Sequence, residues 1–70
     1  MELCDIQIRL RTAIKESGIR QNVIAHAVGV SPQTISKYMK ENIFPALDTF
    51  AKICSFLDVS TDYILGLSAN

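Results

Sequence analysis

The chain has 70 residues, 49% of them hydrophobic, with 7 basic and 7 acidic side chains and a net charge of zero. At about 100–200 residues per domain this length holds a single domain over residues 1–70, which excludes an enzyme with separate cofactor and substrate domains. No apolar run approaches the ~18 residues of a membrane span, so the apolar surplus of so small a domain points to a second subunit or another protein surface.

A 3.6-residue apolar period fits most of the chain and no apolar/polar alternation outcompetes it, so the predicted fold class is all-α. The first helix runs from about Glu2 or Leu3 to Ser17, with Leu3, Ile6, Leu10, Ala13 and Ile14 in one stripe and Gly18 as its stop. The second is short, from about Arg20 to Val28, with Ile24, Ala25 and Val28 facing inward and Gly29 ending it. The third begins with Ser31 as N-cap and Pro32 at the first helical position, and runs to about Lys40. Pro32 biases Ser31 toward the extended geometry that an N-cap wants. The segment Glu41 to Pro45 is a loop. A fourth helix covers about Leu47 to Leu57, with Leu47, Phe50, Ala51, Cys54 and Leu57 inward. Asp58 and Val59 turn the chain, Ser60 caps a last short helix over about Thr61 to Leu65, and Gly66 stops it.

Chemistry of the catalytic or metal-binding kind finds no foothold. Cys4 and Cys54 stand fifty residues apart, no CxxC is present, and His26 is the single histidine. A zinc site wants about four ligands at short spacing. With no recognisable signal peptide, both cysteines read as ordinary reduced residues that behave as small buried hydrophobes. There is no paired nucleophile and base and no glycine-rich phosphate loop, so neither an enzyme nor a bound cofactor is expected.

The neutral average hides a segregated charge. Glu2 and Asp5 give the first eight residues −2. Arg9, Arg11, Lys15, Arg20, Lys37 and Lys40 against Glu16 give residues 9–40 +5. Lys52 against Glu41, Asp48, Asp58 and Asp62 gives the remainder −3. A basic middle between acidic ends signals an anion-facing surface.

The basic middle holds the informative stretch, Gln21 to Lys40, QNVIAHAVGVSPQTISKYMK. Two short helices joined by a few residues that include a glycine have the helix-turn-helix layout. Ala25 must be small because the second helix of the pair crosses closely over it. Gly29 supplies the left-handed backbone of the turn. Ile24, Val28, Val30, Ile35 and Tyr38 fill the wedge between the helices. At ~100° per residue, Gln33, Thr34, Ser36, Lys37, Lys40 and Glu41 share one arc of the third helix, and Ile35, Tyr38 and Met39 the other. One face is core and the other is polar with two lysines, as a recognition helix in the major groove requires.

On these residues the sequence resembles the Cro/repressor-type (lambda-repressor-like, XRE-type) helix-turn-helix family of bacterial and phage transcriptional regulators. The resemblance spans about residues 6–67. Ala25 matches the family's small alanine, Gly29 its turn glycine, and Val30, Ser31, Thr34, Ile35, Ser36 and Lys37 its VS-x-x-TIS-K run. Downstream, Pro45, Leu47, Thr49, Lys52, Leu57, Val59, Ser60, Asp62, Tyr63, Leu65 and Gly66 match a second characteristic pattern. Pro32, Met39 and Glu41 depart from the family, in which a basic or polar residue, an acid and a glycine are common at those places. These departures bear on the strength of DNA binding and not on the fold.

The resemblance implies a five-helix DNA-binding domain, with roles for named residues. Gln33, Thr34 and Lys37 are the base-contact candidates. Gln bonds bidentately to adenine, Thr meets a thymine methyl or a phosphate or supports the first turn, and Lys reaches guanine or a phosphate. Gln21 at the start of the second helix resembles a phosphate clamp, with Arg20, Ser31, Ser36 and Lys40 as further phosphate contacts. Arg9, Arg11 and Lys15 read as general positive field or solvated charges, and His26 as exposed. Ile43, Phe44, Ile64 and Leu67 are candidates for a dimer or partner contact, with Phe44 equally able to fold back on the core.

The function so implied is a sequence-specific, double-stranded DNA-binding transcriptional regulator, a Cro-like repressor acting by promoter occupancy as a homodimer on a near-palindromic operator. With no ligand-binding or protease-type segment recognised, its own concentration would control it. The expected location is the cytoplasm of a bacterial cell or phage-infected host, with neither membrane nor small-molecule partner. The alternative is a protein-interaction module of antirepressor or antitoxin type with weak or no DNA binding. Zero net charge, Glu41 and the apolar surplus favour that alternative; the lysine-bearing polar face opposes it.

Overall fold

The computed structural model describes residues 2–68, and within them it is all-helical: α1 (Leu3–Glu16), α2 (Gln21–Val28), α3 (Pro32–Lys40), α4 (Leu47–Leu57) and α5 (Thr61–Leu65). These bounds agree with the periodicity and capping signals to within a residue or so. Ser31 is extended (φ −78°, ψ 154°) and its side chain accepts from the Thr34 amide, as an N-cap does. Ser60 does the same for α5 through the Tyr63 amide. No helix among the described residues is long and apolar enough to cross a membrane.

All five helices feed one core. Leu10 and Ile14 enter it from α1, Ile24, Ala25 and Val28 from α2, Ile35 and Tyr38 from α3, Phe50, Ile53 and Cys54 from α4, and Ile64 from α5. α2 packs on α3 and on α4, while α1 packs on α5 and α3. Ala25 is fully buried at the α2–α3 junction, where a larger side chain would push the helices apart. Gly29 ends α2 in the left-handed region (φ 79°), which lets the Val30 amide return to the Ala25 carbonyl at 3.0 Å.

Several side chains lie elsewhere than the sequence suggests. Leu47, expected inward, is 86% exposed; Ala51 is exposed; and Leu3 at the start of the α1 stripe is 68% exposed. Ile53, outside the expected set, is fully buried. On a ~100° wheel, Phe50, Ile53, Cys54 and Leu57 span a narrow arc, and Ala51 falls outside it. Leu3 and Leu47 lie in the first turns of their helices. Ile64, a candidate partner contact, is fully buried in the core and is therefore unavailable to a partner through its side chain. Gln7 is buried although it is polar.

Arg9 also departs from its expected role as solvated charge. Its Nε donates to the Ile64 carbonyl at 2.8 Å, satisfying the C-terminal end of α5. The guanidinium lies across Gly66, where an added Cβ would sit 2.7 Å from Nη2 and push the tip of Arg9 aside, while the φ of 81° is what favours glycine there.

The cysteines separate. Cys4 is exposed, which corrects its reading as a buried hydrophobe, and Cys54 is buried, its thiol pushed up in pKa by desolvation. Because the thiolate is the reactive form, a disulfide-exchange reagent should modify one thiol per native chain rapidly and the second only on denaturation. Immediate release of two equivalents from the folded protein would contradict the burial of Cys54.

Candidate nucleic-acid interface

α3 is strongly two-sided. Ile35 and Tyr38 are buried against α2 and the core, and Met39 is half-buried beside them. Gln33, Lys37 and Lys40 are exposed. Gln33 and Lys37 are four residues apart, so they stack one turn above the other on the same face. Burial pushes the Tyr38 phenol up in pKa, and the negative charge of Asp48 adds to the effect. Tyr38 thus stays a neutral core residue.

The head of α3 is held by its own first turn. The Thr34 amide donates to Ser31 Oγ at 3.2 Å, and the two hydroxyls lie 2.9 Å apart. Of the readings open for Thr34, first-turn support is therefore present in this structure, with the side chain half-buried. Ser36 is half-buried, and Ser31 is exposed at the rim.

The head of α2 lies open. Arg20 and Gln21 are exposed, and α2 carries no side-chain cap. Its Val23 and Ile24 amides turn back to the Arg20 carbonyl at 3.0 and 3.1 Å. The Gln21 and Asn22 amides ahead of them belong to the orphan donors of a first turn, where the helix dipole favours an anion. His26 is exposed in the last turn of α2.

The tail of α3 holds contacts that sequence reasoning missed. Arg11 of α1 donates from Nε to the Tyr38 carbonyl and from Nη2 to the Glu41 carbonyl, both at 2.8 Å. Gln7, one turn earlier, donates from Nε2 to the Glu41 carbonyl at 3.3 Å and to Asn42 Oδ1 at 3.1 Å. Arg11 is thus a fixed structural donor and not the loosely placed positive charge the sequence suggested. The available signal was the i, i+4 spacing of Gln7 and Arg11 beside an apolar stripe.

Of the partner-contact candidates, Leu67 is 64% exposed and Ile43 39%, while Phe44 is half-buried. Phe44 and Pro45 line an apolar groove with Leu3, Ile6, Leu47 and Leu65. Both readings of Phe44 therefore retain support: it is folded against the molecule and also presents a face to the groove.

Comparison with known proteins agrees with this geometry. The family model described as helix-turn-helix matches residues 10–64. The HTH-type transcriptional regulator ImmR of Bacillus subtilis (strain 168) is 33% identical over 58 residues, which cover 83% of this chain and 46% of ImmR. The uncharacterized HTH-type transcriptional regulator YobD of the same organism is 33% identical over 60 residues, 86% of this chain and 54% of YobD. The chain thus spans about half the length of the curated relatives it matches. No solved structure matches at a significant level. With two short helices crossing over Ala25, a left-handed glycine between them and a family match over most of its length, the chain belongs to the Cro/repressor-type (XRE-type) helix-turn-helix family.

Proposed function

We propose that this domain binds double-stranded DNA in a sequence-specific manner and regulates transcription as a Cro-like repressor, by occupying a promoter. The observation that carries the reading is the two-sidedness of α3: Gln33, Lys37 and Lys40 stand free on one side, and Ile35 and Tyr38 lock the other into the core. A helix held in this way presents the same side chains to a groove at each encounter. Gln33, Lys37 and the methyl of Thr34 read bases, while Gln21, Arg20, Ser31, Ser36 and Lys40 touch phosphates and set the register. The relatives are both named as transcriptional regulators, which supports the same reading.

The operator is read by two copies. Each domain measures 28 × 24 × 21 Å across its Cα positions, less than the ~34 Å between half-sites one helical turn apart. The exposed Leu3, Leu47 and Leu67, with Ile43 and Phe44, offer the apolar surface for a homodimer. Leu47→Asp should weaken self-association at least tenfold in sedimentation, on or off DNA, and leave the helical content unchanged. A wild type that is monomeric both alone and on its selected duplex would remove the dimer from this reading. The same apolar surface is the observation that favours the second reading, a protein-interaction module.

The deciding experiment is selection from a random duplex library at low and moderate salt. Enrichment of a two-fold symmetric consensus is the expected result. A well-folded wild type that enriches no sequence even at low salt overturns the regulator reading and turns the search to protein partners.

A further inference from the structure

We propose that Gln7 and Arg11 of α1 are positioning residues for the recognition helix: together they set the pitch of α3 and thereby its base preference, without touching DNA. The proposal rests on the DNA-binding reading above and deepens it.

The starting observation is how α3 ends. α2, α4 and α5 each finish on a left-handed residue, Gly29, Asp58 and Gly66. The chain then folds back, and the amides of Val30, Val59 and Leu67 return to the carbonyls of Ala25, Cys54 and Asp62. α2 and α4 close their own ends in this way, and α5 does so with Arg9 of α1 as an added donor to its Ile64 carbonyl. At the end of α3, Glu41 is extended instead (φ −115°, ψ 165°), and the chain leaves the helix directly. The Glu41 amide still reaches the Lys37 carbonyl at 2.8 Å, but the carbonyls beyond it lack the usual closure.

Arg11 and Gln7 supply what the local sequence does not. The guanidinium spans two carbonyls three residues apart, those of Tyr38 and Glu41, and the Gln7 carboxamide adds a donor to Glu41 and one to Asn42. Gln7 is only 9% exposed, so moving it off these acceptors would strand a buried amide. A planar fork fixes direction as well as distance. Its positive charge at a helix C-terminus is also the favourable sign for the dipole. The last turn of α3, which carries Lys37 and Lys40, is thus tied to α1, while its first turn is capped locally by Ser31 and Thr34.

The test compares wild type with Arg11→Gln, Arg11→Lys and Gln7→Met, each checked for folding by circular dichroism. Amide exchange comes first, because it needs no DNA. Protection of the amides of Met39, Lys40 and Glu41 should fall about tenfold or more in Arg11→Gln, while protection within α4 changes far less. Equal loss at both places, or none at either, overturns a local clamp.

Binding to the duplex recovered by selection comes second. Affinity should fall about tenfold, with base preference relaxed beside Lys37 and retained beside Gln33. The slope of log K against log[salt] should stay unchanged, because every phosphate keeps its neutralising side chain. A slope reduced by about 0.9 would make Arg11 a phosphate contact and overturn the proposal. Arg11→Lys keeps the charge and loses the fork, so it should resemble Arg11→Gln; full rescue by Lys overturns the fork. Gln7→Met removes no charge, and wild-type base preference in that variant excludes Gln7 from the device. A wild type that binds no duplex overturns the DNA reading and this role with it, and the exchange pattern still reports whether the clamp exists.

Discussion

Ile35→Ala should remove a large share of the domain's stability and move its urea midpoint far below that of wild type. Ile35 is fully buried where α3 meets α2, among Ile24, Ala25 and Val28. Removing three carbons there costs about 2–5 kcal/mol, the transfer term plus the cavity left behind. At roughly 0.05–0.15 kcal/mol per residue, a domain of this size has only about 4–10 kcal/mol in total. Urea unfolding followed by circular dichroism checks the result. Ile35→Val, which removes one carbon, should cost about 0.5–1.5 kcal/mol and stay folded. A midpoint for Ile35→Ala equal to that of wild type would show that α3 is not anchored through this residue.

Gln33→Ala combined with Lys37→Ala should have the opposite profile. Both side chains are exposed, so stability should change by less than about 0.5 kcal/mol each. Affinity for the selected duplex should fall by about 1–3 kcal/mol for each base-reading side chain removed, between about 30-fold and about 20,000-fold if both read bases. The two substitutions differ in kind. Gln33→Ala should relax preference at one base position and leave the salt slope alone. Lys37→Ala should do the same if it reads guanine, or weaken all sequences and reduce the slope by about 0.9 if it holds a phosphate. Titrations at three salt concentrations distinguish these results. Unchanged affinity and preference in the double variant would place the reading surface elsewhere than on α3.

The fold was legible because the signals that punctuate it are local. Ser31 and Ser60 cap by bonding amides three residues ahead, and Gly29 and Gly66 stop helices through their own φ. Such features need no distant partner, so a linear reading finds them. The division of α3 into a core face and a polar face was legible for the same reason: one helical period decides it. Reading failed at the ends of apolar stripes and within α4, where Ala51 is exposed and Ile53 buried. Leu3 and Leu47 have the right period but lie in the first turns of their helices, and Ile64, on a five-residue helix, gave too short a pattern to assign inward or outward.

The sequence by itself therefore determined the helices, their caps, the helix-turn-helix spacing and which side of α3 is polar. All of these follow from propensity and periodicity within about ten residues. The tertiary structure alone decided what Arg9, Gln7 and Arg11 do. Their partners lie 55, 34 and 35, and 27 and 30 residues away respectively. A long polar side chain on a helix flank satisfies any period as a solvated residue. It becomes a fixed donor only when folding brings the unclosed end of another helix within hydrogen-bonding reach, and no local pattern records where that end will lie.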